Sequence, residues 1–468
     1  MTPKWSVKNT ARLTGAAITG VLAIAAFGVV GASGSSLDFG QDLNKPVEQN
    51  VVLPNQIFEV VCVPGIETEV GTAGSGQVMV SQTDGIEVLK ATDLGSGEEI
   101  EPTSSGDLTV YKSKSPVGLT IQSKSDANFL ALAQSEANKD VRGMTLDQCQ
   151  PARATSWFTV GATTVGESAL LTVSNPSQQA TQVTVHGWSA TGPLEETPTI
   201  TVSAKSTETV NLAAYFPENE RLGIRVDATG PGAVSTIRTV GMDGLAPQGV
   251  DAITGTDTAS ETVVLVGLEK DLDEPKLRLM NPGDAEINAE VTLLTEEGLM
   301  GLSGSETIVL DPGAVFQLSL DGLGTDVASV VVNSSEPILA SMSATAVGKP
   351  NEDGKKVGDR VVWMPSLPAT DFATLVPDGG DKARNVLNVA NQNADVVEVT
   401  INGKTREIGP FSMITQEIGA GELTVASAQP VYASLTSSVE RKDGKVISNI
   451  ALTDAGESIP TTKLVVER

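Results

Sequence analysis

Beyond residue 50 the apolar positions of this chain fall mostly on every second residue of short runs. Val183 and Val185 flank Thr184, and Val291 and Leu293 flank Thr292. A period of two marks a strand with one buried face. The runs end at Gly, Pro, Asp or Ser, residues that turn the chain, and long helical patterns are scarce after the first forty residues. The pattern predicts an all-β chain.

Two runs share a spelling. LTVSNPSQQATQVTV (171–185) and LRLMNPGDAEINAEVTL (277–293) each set Asn-Pro between apolar strands, 106 residues apart. TITVSAKSTETVNL (199–212) lies over TIVLDPGAVFQLSL (307–320), and IRVDATGPGAVS (224–235) over VVVNSSEPILAS (330–341). A third copy runs through VLNVANQNADVVEVTI (386–401), IGPFSMITQEI (408–418) and LTVASAQPVYASL (423–435), with Gln392 where proline stood. A fourth is only hinted at by LTVYKSKSPVGLTI (108–121). This is an internal repeat, and its copies of about 100 residues, with some six or seven short strands each, suit immunoglobulin-like β-sandwiches. Propeller blades, at about 40–50 residues and four strands, fit poorly.

The expected organisation is a β domain over 51–155 followed by sandwich repeats over 156–255, 256–358 and 359–468, set in a row. Asn-Pro is read as a turn: proline presets φ and cannot donate to a ladder, and Asn bonds backbone two residues on. That chemistry leaves little need for a binding role at Asn175 or Asn281. The expected cores are Leu171, Val173, Val183, Val185, Val210 and Leu212 in the first repeat. In the second they are Leu277, Leu279, Val291, Leu293, Leu318 and Leu320.

The front of the chain reads differently. Residues 13–32, LTGAAITGVLAIAAFGVVGA, carry no charge. Twenty helical residues span about 30 Å, the hydrocarbon thickness of a bilayer. The basic tail 1–12 precedes them, and Asp38 and Asp42 follow in a stalk over 33–50. Basic residues stay cytoplasmic, so the expectation is a single-pass cell-membrane anchor with an extracytoplasmic body. A cleaved signal peptide ending at Val30-Gly31-Ala32 is the competing reading, though 13–32 is long for one. An exported chain with only two cysteines, Cys62 and Cys149, is most simply read as disulfide-bonded.

Composition narrows the rest. Cores must come from aliphatic residues, since the chain is 40% hydrophobic but 3% aromatic. A net charge of −27 repels nucleic acid and anionic lipid. His186, the single histidine, sits on the face opposite the buried positions of its strand and reads as a surface residue. No strained nucleophile turn or phosphate loop is present; NGKT (402–405) reads as a hairpin turn. Paired carboxylates could serve a glycosidase, but aromatic platforms are scarce. DLDEP (271–275) and DGGDKAR (378–384) match no calcium-loop spacing. No catalytic, metal-binding or cofactor-binding residue is assigned, and no cofactor is expected.

VCVP (61–64), QCQP (148–151), SWFTVG (156–161), LTVSNP and LRLMNP together resemble an uncharacterised actinobacterial family of membrane-anchored extracytoplasmic proteins, over most of the chain. The resemblance implies cell-envelope proteins of unknown function, encoded near envelope-glycan genes. It transfers no functional residue. The functional expectation is a non-enzymatic envelope scaffold whose partner is a protein or a glycan. The alternative is an accessory subunit of a glycan-assembly enzyme or transporter.

Overall fold

The computed structural model describes residues 47–51, 56–69, 71–124, 129–159, 161–302, 304, 307–455 and 462–466. The expected basic tail, the anchor over 13–32 and most of the stalk lie outside these. Among the described residues no helix is long and apolar enough to cross a membrane. The chain is all-β, in several antiparallel sheets. Strands Val47–Val51 and Thr462–Val466 pair with each other as a two-stranded sheet. Residues 462–466, expected to complete the third repeat, therefore take their backbone partner from the expected stalk. Residues 52–462 form one compact body.

Within that body one strand plan occurs four times. In the unit after Thr155, one sheet orders Ser206–Asn211, Glu167–Asn175, Val234–Asp243 and Ala246–Thr254. The facing sheet orders Thr155–Phe158, Gly223–Ala228 and Thr181–Ser189, with Thr199–Val202 and Gly192–Pro193 on its outer side. Leu171, Val173 and Ile237 from the first sheet meet Val183, Val185 and Val226 from the second in one core. The alternation seen in the sequence is the physical cause, because only one face of each pleat reaches that core.

The units spanning 260–363 and 369–451 repeat the plan. So does the front region, with Leu108–Lys112, Ser75–Ser81, Ala131–Asn138 and Arg142–Gln148 in one sheet and Gln56–Cys62, Val117–Ser123 and Ile86–Asp93 in the other. The stretch 108–121 supplies the counterparts of Ser206–Asn211 and Gly223–Ala228. Cys62 ends the first front strand and Cys149 follows the last, so their disulfide ties the two sheets together.

In the three units after Thr155 the chain passes from one sheet to the other at the same place in the plan. In the unit after Thr155 the change is a break, Thr229-Gly230-Pro231-Gly232, with both glycines at positive φ. In the next two units it is continuous, within Val327–Pro350 and Gly421–Arg441. There Pro337 and Pro430 fall where pairing passes from one sheet to the other. A residue without an N–H is tolerated at that crossing because no ladder bond is required of it.

Eleven of the twelve expected core residues are buried. Leu318 is half-buried at the core's edge, since Val315–Ser319 is the outermost strand of its sheet. The expected boundary at Gly358 also needs correction. It falls inside strand Lys356–Trp363, which pairs with Val327–Pro350 and puts Val361 and Trp363 into the same core as Leu279.

The units do not form a row. The last strand of each, namely Arg142–Gln148, Ala246–Thr254, Lys356–Trp363 and Gly444–Ala451, packs on the last strand of the next, and the fourth packs back on the first. The body is a closed ring of four two-layer units about these strands.

Candidate functional site

Each last strand carries a buried polar side chain bonded to a neighbouring unit: Asp147 in MTLDQ, Asp251 in GVDAI, Asp359 in GDRVV and Ser448 in VISNI. Buried polar groups need partners, and here the partners lie in the neighbouring unit. Asp251 Oδ2 accepts the Val362 N–H at 2.6 Å, and Asp359 Oδ2 accepts the Ile447 N–H at 2.7 Å. Ser448 Oγ accepts the Leu146 N–H at 3.0 Å, and Asp147 Oδ1 accepts the Thr254 hydroxyl at 3.2 Å. Acceptor and donor thus run once around the ring.

The approach is close enough to need glycine. A Cβ on Gly249, at φ +103°, would lie 2.0 Å from the Arg360 nitrogen, and one on Gly143 would lie 2.6 Å from Asp359 Oδ1.

Cationic side chains clamp every junction outside this cycle. Arg238, fully buried, donates to Asp147 Oδ2 at 3.2 Å and to the carbonyls of Gly65 and Val63 at 2.7 and 2.6 Å. Arg360 holds Glu167 bidentately at 2.7 and 2.6 Å, and Arg441 holds Glu136 at 2.8 and 2.6 Å. Arg142 reaches two other units, bonding Gly358 O at 3.2 Å and Gly444 O at 2.8 Å. Lys445 bridges to Asp271 at 2.9 Å, so that acidic turn is held by a neighbouring unit.

Burial pushes the Asp147 carboxyl up to about 7, against the opposing pull of Arg238 and Thr254. Asp251 and Asp359 are raised well above the carboxylate range, again chiefly by burial and only partly offset by backbone N–H donors. Asp147 and Asp359 add like-charge repulsion at Asp251. These groups act as acceptors inside a buried junction. Their chemistry is assembly of the ring.

Where the last strands end lies a cavity of about 270 Å³ to which all four units contribute. A second, polar cleft of about 900 Å³ separates the two units that meet through Glu167 and Arg360. Among the described residues no cluster of three or more His, Cys, Asp or Glu side chains is placed to hold a metal.

The residues singled out in the sequence take structural places. Asn175 Nδ2 donates to the carbonyls of Gln179, Val202 and Ser203 at 2.7–3.1 Å, while Oδ1 accepts the Ser177 N–H at 3.0 Å. Asn281 and Asn391 repeat the set, to Ala285, Leu310 and Asp311 and to Asp395, Ile408 and Gly409. The expected bond two residues on is present, and a second reach, to backbone 17–30 residues further along the chain, was not foreseen. All three side chains are buried. Asn402 and Gly403, both at positive φ, make the hairpin turn between Val397–Ile401 and Lys404–Ile408.

His186 is half-buried, with Nε2 3.2 Å from Asp227 Oδ2. Its pKa is lowered by burial and by Arg225, against the pull of Asp227. Trp188, two residues on, is buried because Met280, Val315 and Leu339 of the next unit cover it. Sequence reading missed the last-strand carboxylates. The available signal was a charged residue inside an apolar strand.

A family model described as a family of unknown function (DUF5719) matches residues 109–413. No curated protein matches the chain. Among solved structures, one from Thermotoga maritima is 19% identical, with 22% of this chain and 93% of that one covered at a TM-score of 0.18. The pilus adhesin SpaC from Lactobacillus rhamnosus GG is 10% identical, with 84% and 53% covered at a TM-score of 0.12. The chain spans about half the length of that adhesin.

Proposed function

We propose, from the premise that the chain belongs to the DUF5719 family, that it is a non-enzymatic scaffold of the cell envelope. Its units are immunoglobulin-like sandwiches, held outside the membrane by the apolar segment 13–32. The observation that carries this reading is the cyclic set of bonds from Asp147, Asp251, Asp359 and Ser448. The chain's most perturbed carboxyls are spent on joining units, which makes one stiff body of four β units with broad lateral surfaces for a protein or glycan partner.

Membrane fractionation tests it. After alkaline carbonate extraction the full-length protein stays in the pellet, and cross-linking in intact cells joins residues 56–455 to extracytoplasmic envelope components. Recovery in the cytosolic fraction, or release of a form beginning near Ser33, would contradict the anchored scaffold. Stoichiometric copurification with a glycan transferase or transporter would instead favour an accessory subunit.

A further inference from the structure

We propose that the polar cleft of about 900 Å³ is a docking site for an extended peptide segment of a protein partner, one that bears one or two isolated acidic side chains. The proposal takes the scaffold's partner to be a protein; its failure would leave the result of membrane fractionation standing. The chain fills the preceding junction with such a segment of its own. Between Gln56–Cys62 and Ser75–Ser81 the front unit runs through 63–74, which holds the hairpin of Ile66–Thr68 with Gly71–Ala73. Ile66 packs against Val240 and Val250 of the next unit. Glu67 accepts the Thr172 hydroxyl, and Glu69 Oε1 accepts from Ser168 Oγ at 3.3 Å and Asn211 Nδ2 at 3.1 Å. One junction further on, the corresponding connection is the shorter 159–166, between Thr155–Phe158 and Glu167–Asn175, and it carries no acid. The cleft opens along it.

Arg278 takes the place of Thr172, since each stands three residues before a turn asparagine. Its guanidinium donates to the carbonyls of Gly161 and Glu220 at 2.7 and 3.3 Å and to Gln317 Oε1 at 3.1 Å, all neutral acceptors. The Arg221 side chain makes no hydrogen bond or ion pair among the described residues. Glu167 is already held by Arg360, so three guanidiniums share one carboxylate. Burial, then Arg360 and Arg221, lower the Arg278 pKa to about 10 against the pull of Glu167. A buried cation without its own counter-charge is costly, and a carboxylate offers it a charge-assisted fork. Ser343 and Thr345 face the cleft between core residues Met342, Ala344 and Ala346, and their hydroxyls make no hydrogen bond among the described residues. They can serve peptide backbone groups. Exposed carboxylates on the rim, Glu220, Asp273 and Asp321 among them, disfavour a run of acids, though salt screens them beyond about 8 Å. Among the described residues no aromatic side chain lines the cleft, so a sugar ring would meet no stacking platform.

The test is calorimetric titration of the full chain in mild detergent with a synthetic peptide copying residues 65–73, blocked at both ends. Saturable binding is expected. The analogue carrying Glu67→Gln and Glu69→Gln should bind weaker by about tenfold or more, the worth of one charge-assisted hydrogen bond. In the protein, Arg278→Gln should erase the preference for the acidic peptide, and Arg221→Gln, which breaks no hydrogen bond, should weaken that peptide severalfold. Absence of saturable binding, or equal affinity for the two peptides, overturns the proposal. So does parent-like affinity in either variant at the parent's melting temperature. Displacement of the peptide by inorganic phosphate at concentrations no higher than the peptide's own would assign the cleft to a phosphate-bearing ligand and overturn it too.

Discussion

Replacing Asn281 with alanine isolates the interaction that recurs most faithfully in this fold. Its side chain is 1% exposed and makes four hydrogen bonds: Nδ2 to Ala285 O at 2.7 Å and to Leu310 O and Asp311 O at 3.2 Å each, and Oδ1 from the Gly283 N–H at 2.9 Å. Each such bond is worth a net of about 1 kcal/mol, and a buried group left unpaired costs about 1–3 kcal/mol. The Ala285 and Asp311 bonds are only partly buried, so water can replace them, whereas the Leu310 bond is buried. The expected loss is therefore about 3–5 kcal/mol, local to the second unit.

Asn281→Asp should be at least as damaging, because a carboxylate would face three carbonyl oxygens and donate to none. Hydrogen exchange followed by mass spectrometry reads the result. Amides of Lys276–Met280 and Ile308–Leu310 should lose protection while those of Glu167–Asn175 keep theirs. Protection within a factor of about three of the parent, which is under 1 kcal/mol, would refute the idea that this side chain pins the turn to the distant strand.

Four further substitutions separate the contributions. Asp147, Asp251 and Asp359 have folded-state pKa values above the ordinary carboxylate range. Their stability contribution is present below about pH 4 and lost as pH rises through the folded values, near 7 for Asp147, at up to about 1.4 kcal/mol per pH unit per group. Denaturation midpoints between pH 4 and 8 should fall accordingly. Asp359→Asn keeps an acceptor for Ile447 and should flatten the slope; an unchanged slope would refute the assignment. Leu279→Asp puts a charge among fully buried neighbours, costs several kcal/mol, and should open 260–363 to protease before 155–254, whereas His186→Ala should leave melting nearly unchanged. Cys149→Ala removes an 87-residue cross-link worth about 4–5 kcal/mol in the chain-entropy model; the non-reduced gel shift should vanish and the front unit should become the first to unfold.

The strands and their buried faces were legible because alternation reports directly on which face meets a core. Leu171 to Leu212 and Leu277 to Leu293 needed nothing more. The Asn-Pro turn was legible in its local half, since Asn175 and Ser177 are neighbours in sequence, but its bonds to Val202 and Ser203 depend on how the sheets stack. Arrangement of the units was hidden for a related reason. Period-two patterning speaks of one core at a time, whereas the ring is decided by side chains on the opposite faces of the last strands. Asp251 and Asp359 looked like ordinary charges until a neighbouring unit covered them. The front unit was only hinted at, through 108–121, because Ser81 ends its strand where Asn175 ends the corresponding one, which removed the spelling that marked the other copies.

Ring closure between the first and last units is tested most directly through Glu136 and Arg441, which form a bidentate pair at 2.6–2.8 Å across 305 residues. In an Arg441→Lys variant, a zero-length carbodiimide should join the two side chains by an amide bond. The expected product, in protein that stays monomeric on a denaturing gel, is a peptide pair linking residues 136 and 441. A linear row of units would yield no such pair, or would yield it only in cross-linked dimers, and either result would contradict the closed ring.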